Sequence, residues 1–209
     1  SFPLGVMAGI YTQEYAKKGK LVQFIRLMTN NLAGIPSIVM GLFGMTLFVN
    51  TLGFGDSILA GSLTLSLLVL PIIIRTTEEA LASVPYAFRV GSYALGATKL
   101  QTIARVVLPQ ALPNIMTGLV LSVGRVSGET APILFTVAAY FLPKLPTSIL
   151  DPVMALPYHL YVLVTSGTDL EATRPMAYGT ALVLIVLVLI VNLLAHGVRN
   201  RLGRKVKMN

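Results

Sequence analysis

The chain has no cysteine and no tryptophan, and only two of its 209 residues are histidines. Without cysteine, a disulfide scaffold, a thiolate metal site and a cysteine nucleophile are excluded. His159 and His196 are isolated in the sequence and offer neither a metal-binding nor a nucleophilic cluster. Charged residues are also scarce, at 11% against about 25% in ordinary soluble domains. A soluble domain, a hydrolase and a metalloenzyme are therefore disfavoured, and no metal site is expected.

Long apolar stretches are present instead, and 55% of the residues are hydrophobic. Four stretches could cross a bilayer, and a fifth near the start is about half as long; they cover residues 2–11, 31–49, 57–74, 112–141 and 176–195. The sequence therefore predicts an all-α polytopic membrane protein with about five spans. Because the chain starts at Ser1 with no charged leader before its first apolar run, we expect an N-terminally truncated fragment of a protein with six or more spans.

Basic residues are concentrated in alternate loops. Residues 14–26, 75–105 and 199–207 hold thirteen basic and three acidic residues, whereas the other loops hold two basic and four acidic residues. The positive-inside rule assigns the first set and the C-terminus to the cytoplasm of a multi-pass protein of the cell membrane. Contact with lipid headgroups explains the basic tail, so no nucleic-acid partner is expected.

The segment between the second and third long stretches, residues 78–109, has its own pattern. Pro85 precedes a short helix at 86–95, Gly96 ends that helix, and an amphipathic helix resumes at 101–108 before Pro109 and Pro113. Such a helix–glycine–helix unit suits docking into a groove of a partner protein. A helix lying on the headgroups is an equally good interpretation of the residues.

This segment resembles the EAA loop of ABC-importer permeases, with pattern Glu-Ala-Ala-x3-Gly-x9-Ile-x-Leu-Pro. Alignment on Gly96 places Leu108 and Pro109 at the family's positions, while Val90, Gly91 and Ser92 replace Glu-Ala-Ala. The resemblance implies that these six residues couple the permease to an ATPase subunit. The replacement removes the acidic group that the family commonly presents to that subunit.

Three further blocks resemble the PstA branch of phosphate permeases, and a fourth is weaker. They are PLGVMAGIYTQEYA (3–16), NLAGIPSIVMGLFG (31–44), GRVSGETAPILFT (124–136) and, more weakly, DPVMALPYHLYVL (151–163). The resemblance implies one transmembrane permease domain over residues 1–209, with the type I ABC importer bundle. It also implies three partners: a PstC-like second permease, a PstB-like ATPase dimer and an extracytoplasmic PstS-like phosphate-binding protein. The chain has no Gly-x4-Gly-Lys-Ser/Thr motif, so ATP and Mg²⁺ are expected on the ATPase and no cofactor on this chain.

Arg125 and Glu129 are charged residues inside the 112–141 stretch, and their i,i+4 spacing allows them to meet on one helix face. If the helix begins near Pro113, Arg125 lies about 18 Å along it, near mid-membrane. We expect Arg125 to meet an anion in the pathway and Glu129 to orient it, with Thr130 beside them; a purely structural salt bridge is the alternative.

Three neighbours of this pair carry structural expectations. Gly124 and Gly128 form a Gly-x-x-x-Gly pattern typical of close helix packing. Pro132 is expected to kink the same helix and provide a hinge, with Thr130 satisfying the freed backbone groups.

The outer loop, residues 142–175, contains five prolines and an apolar middle. It could contact a substrate-binding protein or pack only locally, and the residues do not separate these interpretations. For the whole chain, the leading function is a permease of a phosphate importer. A permease for molybdate or sulfate, an ATP-independent secondary transporter and a non-transporting scaffold remain alternatives.

Overall fold

A computed structural model describes residues 1–16, 19–139, 145–166 and 170–207, which are mostly helical. The helices are α1 (Phe2–Ile10), α2 (Lys20–Ala33), α3 (Ser37–Gly44), α4 (Ile58–Ala82), α5 (Tyr86–Ala94), α6 (Lys99–Thr102), α7 (Leu108–Ser127), α8 (Ala131–Thr136), α9 (Leu156–Thr165) and α10 (Leu170–Lys207). Three π-helical turns extend the helices that precede them, at Tyr11–Tyr15, Met45–Thr51 and Ile103–Val107. This is the all-α architecture that the sequence predicts.

Within the described ranges, three helical stretches are long and apolar enough to cross a membrane: Ile58–Ala82, Lys99–Ser127 and Thr173–Asn200. A fourth candidate is the broken pair Lys20–Ala33 and Ser37–Thr51, which is long and apolar enough only when both helices are taken together. The prediction of one continuous span at 31–49 is therefore wrong. Pro36 adopts an extended backbone before α3, and the residue before a proline is disfavoured in a helix, so the chain turns there.

The prediction that Pro109 and Pro113 end a helix is also wrong, because α7 runs through both residues. A proline ring normally clashes with the carbonyl four residues earlier. Here the preceding turn is π-helical, and the Leu108 N–H donates to the Ile103 carbonyl five residues back. The wider π-helical turn changes which carbonyls face the residues that follow it, just before Pro109. The helix therefore continues through the proline.

The chain divides into two compact units, the first made of residues 1–33, 69–123 and 192–209. Its core lies between α4 and the stretch from the third π-helical turn into α7, where Leu81, Val107 and Ile115 are fully buried. Helix α1 packs closely on α4 through two glycines: a Cβ at Gly5 or Gly9 would lie 2.7 Å from Ile73 or Thr77. Any larger residue at either position would push the two helices apart.

The second unit comprises residues 34–68 and 124–191. Its core is centred on Ile133, Val137 and Tyr158. Helix α3 packs on α8 at Gly41, where a Cβ would lie 2.9 Å from the Ala131 carbonyl oxygen. Ala138 and Val153 form an isolated parallel β-bridge that ties the end of α8 to the segment before α9.

Candidate functional site

The structure brings Arg125 and Glu129 together, as their spacing predicts. The Arg125 Nε lies 3.4 Å from the Glu129 Oε1, and the two side chains are 38% and 18% exposed. The pair lies at the C-terminus of α7, because the helix ends at Ser127 and Glu129 follows its last turn. A cation in the last helical turn is stabilised by the helix dipole.

The expected helix start near Pro113, from which Arg125 is placed about 18 Å along the helix, is wrong, and a position near mid-membrane stays a prediction. The continuous helical stretch begins at Lys99 rather than near Pro113 and ends at Ser127, so Arg125 lies in its last turn. The predicted stretch 112–141 is likewise not one helix. The chain leaves the helical path at Gly128 and starts a new helix at Ala131.

Pro132 does not kink a continuous helix. It lies in the first turn of α8, where a missing N–H costs no hydrogen bond, and it is fully buried. Thr130 is the N-cap residue of α8, and its carbonyl accepts a hydrogen bond from the Leu134 N–H at 3.0 Å. The segment between Arg125 and α8 is therefore a helix break, and Thr130 connects the ion pair to the helix packed on Gly41.

The predicted close packing of the Gly-x-x-x-Gly pattern is not found at Gly128 within the described chain. Among the described residues, nothing lies within 4 Å of a Cβ built on Gly128. Sequence reasoning missed Gly5 and Gly9, which lie close to a neighbouring helix and show the same spacing in the first apolar run.

The coupling segment has the predicted helix and break. Helix α5 spans Tyr86–Ala94, and Gly96 has a φ of +79°. The Gly96 N–H donates to the Tyr93 carbonyl and the Ala97 N–H to the Ser92 carbonyl, which together form a Schellman motif. The Ser92 hydroxyl also bonds the buried Thr102 hydroxyl at 2.9 Å, which closes α5 against α6.

Only part of residues 78–109 is a loop, because its ends belong to α4 and to the stretch that leads into α7. None of the nine residues of α5 is buried by the described chain. The exposed apolar side chains on and beside this helix are Tyr86, Phe88, Val90, Tyr93, Leu95 and Leu100. Val90 and Gly91 thus lie on an uncovered helix, whereas Leu108 packs against the core of the first unit.

Replacing Gly96 by alanine is expected to weaken the C-terminal cap of α5 by about 1–2 kcal/mol, because an L side chain is strained at positive φ. Hydrogen exchange at the Ala97 amide should accelerate about tenfold. The matched control is Gly91→Ala, where a Cβ meets open space in a helix and the exchange should slow. Equal exchange in both variants would contradict this account of the break.

The outer segment is described at residues 145–166 and 170–175, and the rest of the predicted 142–175 loop lies outside the described residues. Helix α9 packs its Tyr158 into the core, and the His159 Nδ1 lies 3.2 Å from the Thr180 hydroxyl of α10. A cavity of about 300 Å³ is lined by residues of α9 and α10, with Arg174 and Tyr178 among them. These contacts show local packing and do not test the binding-protein interpretation.

Asp151 organises the turn before α9. Its Oδ2 accepts hydrogen bonds from the Thr147 N–H at 2.8 Å, the Ser148 N–H at 2.9 Å and the Thr147 hydroxyl at 3.1 Å. The backbone hydrogen bond from Thr147, followed by that from Ser148, lowers the pKa of Asp151 below its ordinary 3.8.

Because the pKa is lowered on folding, the ionised carboxylate stabilises the turn above pH 3.8, and this contribution is lost as the pH falls through the folded pKa. At neutral pH, Asp151→Ala is expected to speed exchange of the Thr147 and Ser148 amides by about fivefold, since each loses its acceptor. Asp151→Asn, which keeps one acceptor, should show a smaller effect. Unchanged exchange in the alanine variant would contradict this role.

Several known permease proteins are similar to this chain in sequence. A permease protein of Bacillus subtilis, the probable ABC transporter permease YqgI, is 38% identical over 221 residues, covering all of this chain and 74% of that protein. The phosphate transport system permease PstA of Mycobacterium leprae is 43% identical over 198 residues, covering 94% of this chain and 64% of that protein. The chain thus spans about two thirds to three quarters of the length of these relatives.

A solved structure gives the same fold. The inward-facing MetNI methionine ABC transporter superposes with a TM-score of 0.74 over 98% of this chain and 87% of its own, at 20% identity. At that identity the likeness concerns the fold alone. The family described as the binding-protein-dependent transport system inner membrane component matches residues 1–208. The chain therefore belongs to the binding-protein-dependent ABC importer permeases.

Proposed function

We propose that this chain is the permease subunit of an ATP-driven phosphate importer and that Arg125 contacts the phosphate on its way through the membrane. The observation that carries the proposal is a partly exposed arginine held by a carboxylate at the end of a long apolar helix. Ionisable side chains in such segments usually mark a substrate pathway. The phosphate transport named for the Mycobacterium leprae relative supports the choice of cargo.

The chemistry of Arg125 suits an oxyanion. A planar guanidinium can donate paired hydrogen bonds to two phosphate oxygens, which a lysine ammonium cannot do in the same geometry. Among the described residues, Glu129 accepts a hydrogen bond from the Nε of Arg125 at 3.4 Å. Since a carboxylate repels a phosphate, Glu129 orients the guanidinium rather than binding the cargo, and Thr130 stands beside the pair at the start of α8.

Energy for transport comes, in this proposal, from a separate ATPase dimer that holds the ATP and Mg²⁺. The uncovered helix α5, with Val90, Gly91 and Ser92, supplies the docking surface, and Gly96 and Pro109 set the backbone around it. The charge distribution supports a cytoplasmic location for this segment and for the C-terminus. A PstC-like second permease and a PstS-like binding protein complete the transporter.

The test is uptake into proteoliposomes that contain the full-length permeases, their ATPase and the loaded binding protein. We expect uptake that requires ATP and prefers phosphate over sulfate and molybdate. Preference for another oxyanion would keep the importer and replace its cargo. Uptake without ATP would overturn the proposal in favour of a secondary transporter.

A further inference from the structure

Arg89 connects helix α5, which we call the coupling helix, to two other parts of the first unit. Its guanidinium donates to the Glu14 Oε1 at 2.6 Å, to the Leu81 carbonyl at 2.9 Å and to the Val84 carbonyl at 2.8 Å. The Arg89 and Glu14 side chains are only 11% and 10% exposed. One side chain on α5 thus binds both the C-terminal end of α4 and an acidic residue that precedes it by 75 positions.

The partner of Arg89 lies in the first π-helical turn, Tyr11–Tyr15, which contacts two further elements. The Gln13 Oε1 accepts a hydrogen bond from Arg26 of α2 at 2.9 Å. The Lys99 Nζ of α6 lies 5.0 Å from the centre of the Tyr15 ring, a cation–π distance. Helices α2, α5 and α6 are therefore each joined to this single turn by a polar side-chain contact.

The first π-helical turn is also fixed to the apolar helices of its unit. The Thr12 hydroxyl donates to the Ala8 carbonyl of α1 at 2.9 Å. At Gly5 and Gly9, helix α1 lies directly against the side chains of Ile73 and Thr77 of α4. Because these contacts are closely packed, a displacement of Glu14 also displaces α1 and α4.

Helix α5 has few other attachments. It has nine residues and buries none of them within the described chain, so its position depends on polar contacts such as those of Arg89 and Ser92. A helix of this length does not persist alone in water. Loss of the charged contact would therefore let α5 move without moving Glu14.

We propose that the Arg89–Glu14 ion pair transmits movement of the coupling helix to the first π-helical turn and helix α1, and that ATPase coupling depends on it. The inference rests on the proposed function, because it takes α5 as the ATPase-docking helix. Arg89 is a positioning residue in this account and touches neither cargo nor nucleotide.

The first experiment measures the ATPase activity of the assembled, full-length complex with and without phosphate-loaded binding protein. In Glu14→Gln and Arg89→Gln, we expect the stimulated-to-basal ratio to fall toward one and the ATP consumed per phosphate transported to rise at least about tenfold. Arg89→Lys, which keeps the charge, should recover part of the stimulation. The matched control is Glu79→Gln, which breaks the exposed Arg75–Glu79 pair and should behave as wild type.

A second measurement does not depend on the cargo. A nitroxide label on the exposed Tyr11 reports the environment of the π-helical turn. Addition of a non-hydrolysable ATP analogue should change its spectrum in the wild-type and Glu79→Gln complexes but not in Glu14→Gln. Stimulation of the wild type by another loaded binding protein would revise the proposed cargo while leaving this spectral test valid.

Two results would overturn the inference. One is a wild-type spectral response together with wild-type coupling in both Glu14→Gln and Arg89→Gln. The other is failure of Glu14→Gln, Arg89→Gln and Arg89→Lys alike to assemble with the ATPase. The Arg89–Glu14 pair would then be needed only for folding.

Discussion

Replacing Arg125 by glutamine is expected to reduce ATP-dependent phosphate uptake by about tenfold to one hundredfold while the complex still assembles. Glutamine keeps a hydrogen-bonding head but loses the charge and the planar fork. A hydrogen bond to a charged group contributes about 1.5–3 kcal/mol, and about 1.4 kcal/mol corresponds to a factor of ten. Initial uptake rates at saturating ATP, normalised to assembled complex, provide the measurement.

The chain offers a matched control in Arg75, which also precedes its glutamate partner by four positions and lies 3.0 Å from it. Arg75→Gln removes the same kind of ion pair from an exposed site and should leave uptake near the wild-type rate. Equal uptake by wild type and Arg125→Gln would assign the Arg125–Glu129 pair a structural role only.

Replacing Gly41 by leucine is expected to have the largest effect on folding. A Cβ at this position would already lie 2.9 Å from the Ala131 carbonyl oxygen and 3.0 Å from the Pro132 Cα, both backbone atoms. Backbone cannot rotate away as a flexible side chain can, so α3 and α8 must separate. Overpacking typically costs about 1–3 kcal/mol and occasionally more.

The melting temperature of the purified full-length protein in detergent should fall by about 6–12 °C, taking the upper end of that cost and about 2–4 °C per kcal/mol. Gly179→Leu is the control, because a Cβ on this helical glycine of the same unit meets open space. Similar melting temperatures for Gly41→Leu and wild type would contradict the close contact of α3 and α8.

Local chemistry explains which features could be predicted from the sequence. The last apolar helix needs only a long uncharged run, and the end of α5 needs only a glycine that tolerates positive φ. The contact between Arg125 and Glu129 follows from helical spacing, although the helix ends between them. Each of these features depends on residues that are close in the sequence.

The errors concern positions where distant contacts decide the outcome. The break after Ser127 has a local signal that the prediction overlooked, because Gly128 follows the helix and Pro132 lies in the first turn of α8; the packing of α8 against Gly41 is the part that no local pattern contains. Continuation through Pro109 requires a π-helical turn, and hydrophobic periodicity does not distinguish that turn from an α-helix. The choice between the two glycine pairs depends on which helix lies beside each, and that is a property of the tertiary structure.

Helix α10 shows how differently two apolar helices of one chain are constrained. The most apolar 18-residue window of Thr173–Asn200 has none of its residues buried by the described chain, whereas 39% of the corresponding window of Ile58–Ala82 is buried. Where hydrocarbon surrounds such a helix, its side chains have to be apolar enough to partition into the membrane, but they do not have to fit the shape of a neighbouring helix. Exchanges among leucine, isoleucine, valine and phenylalanine should then be tolerated along α10. In α4 the same exchanges should be limited by the volume available to the buried side chain.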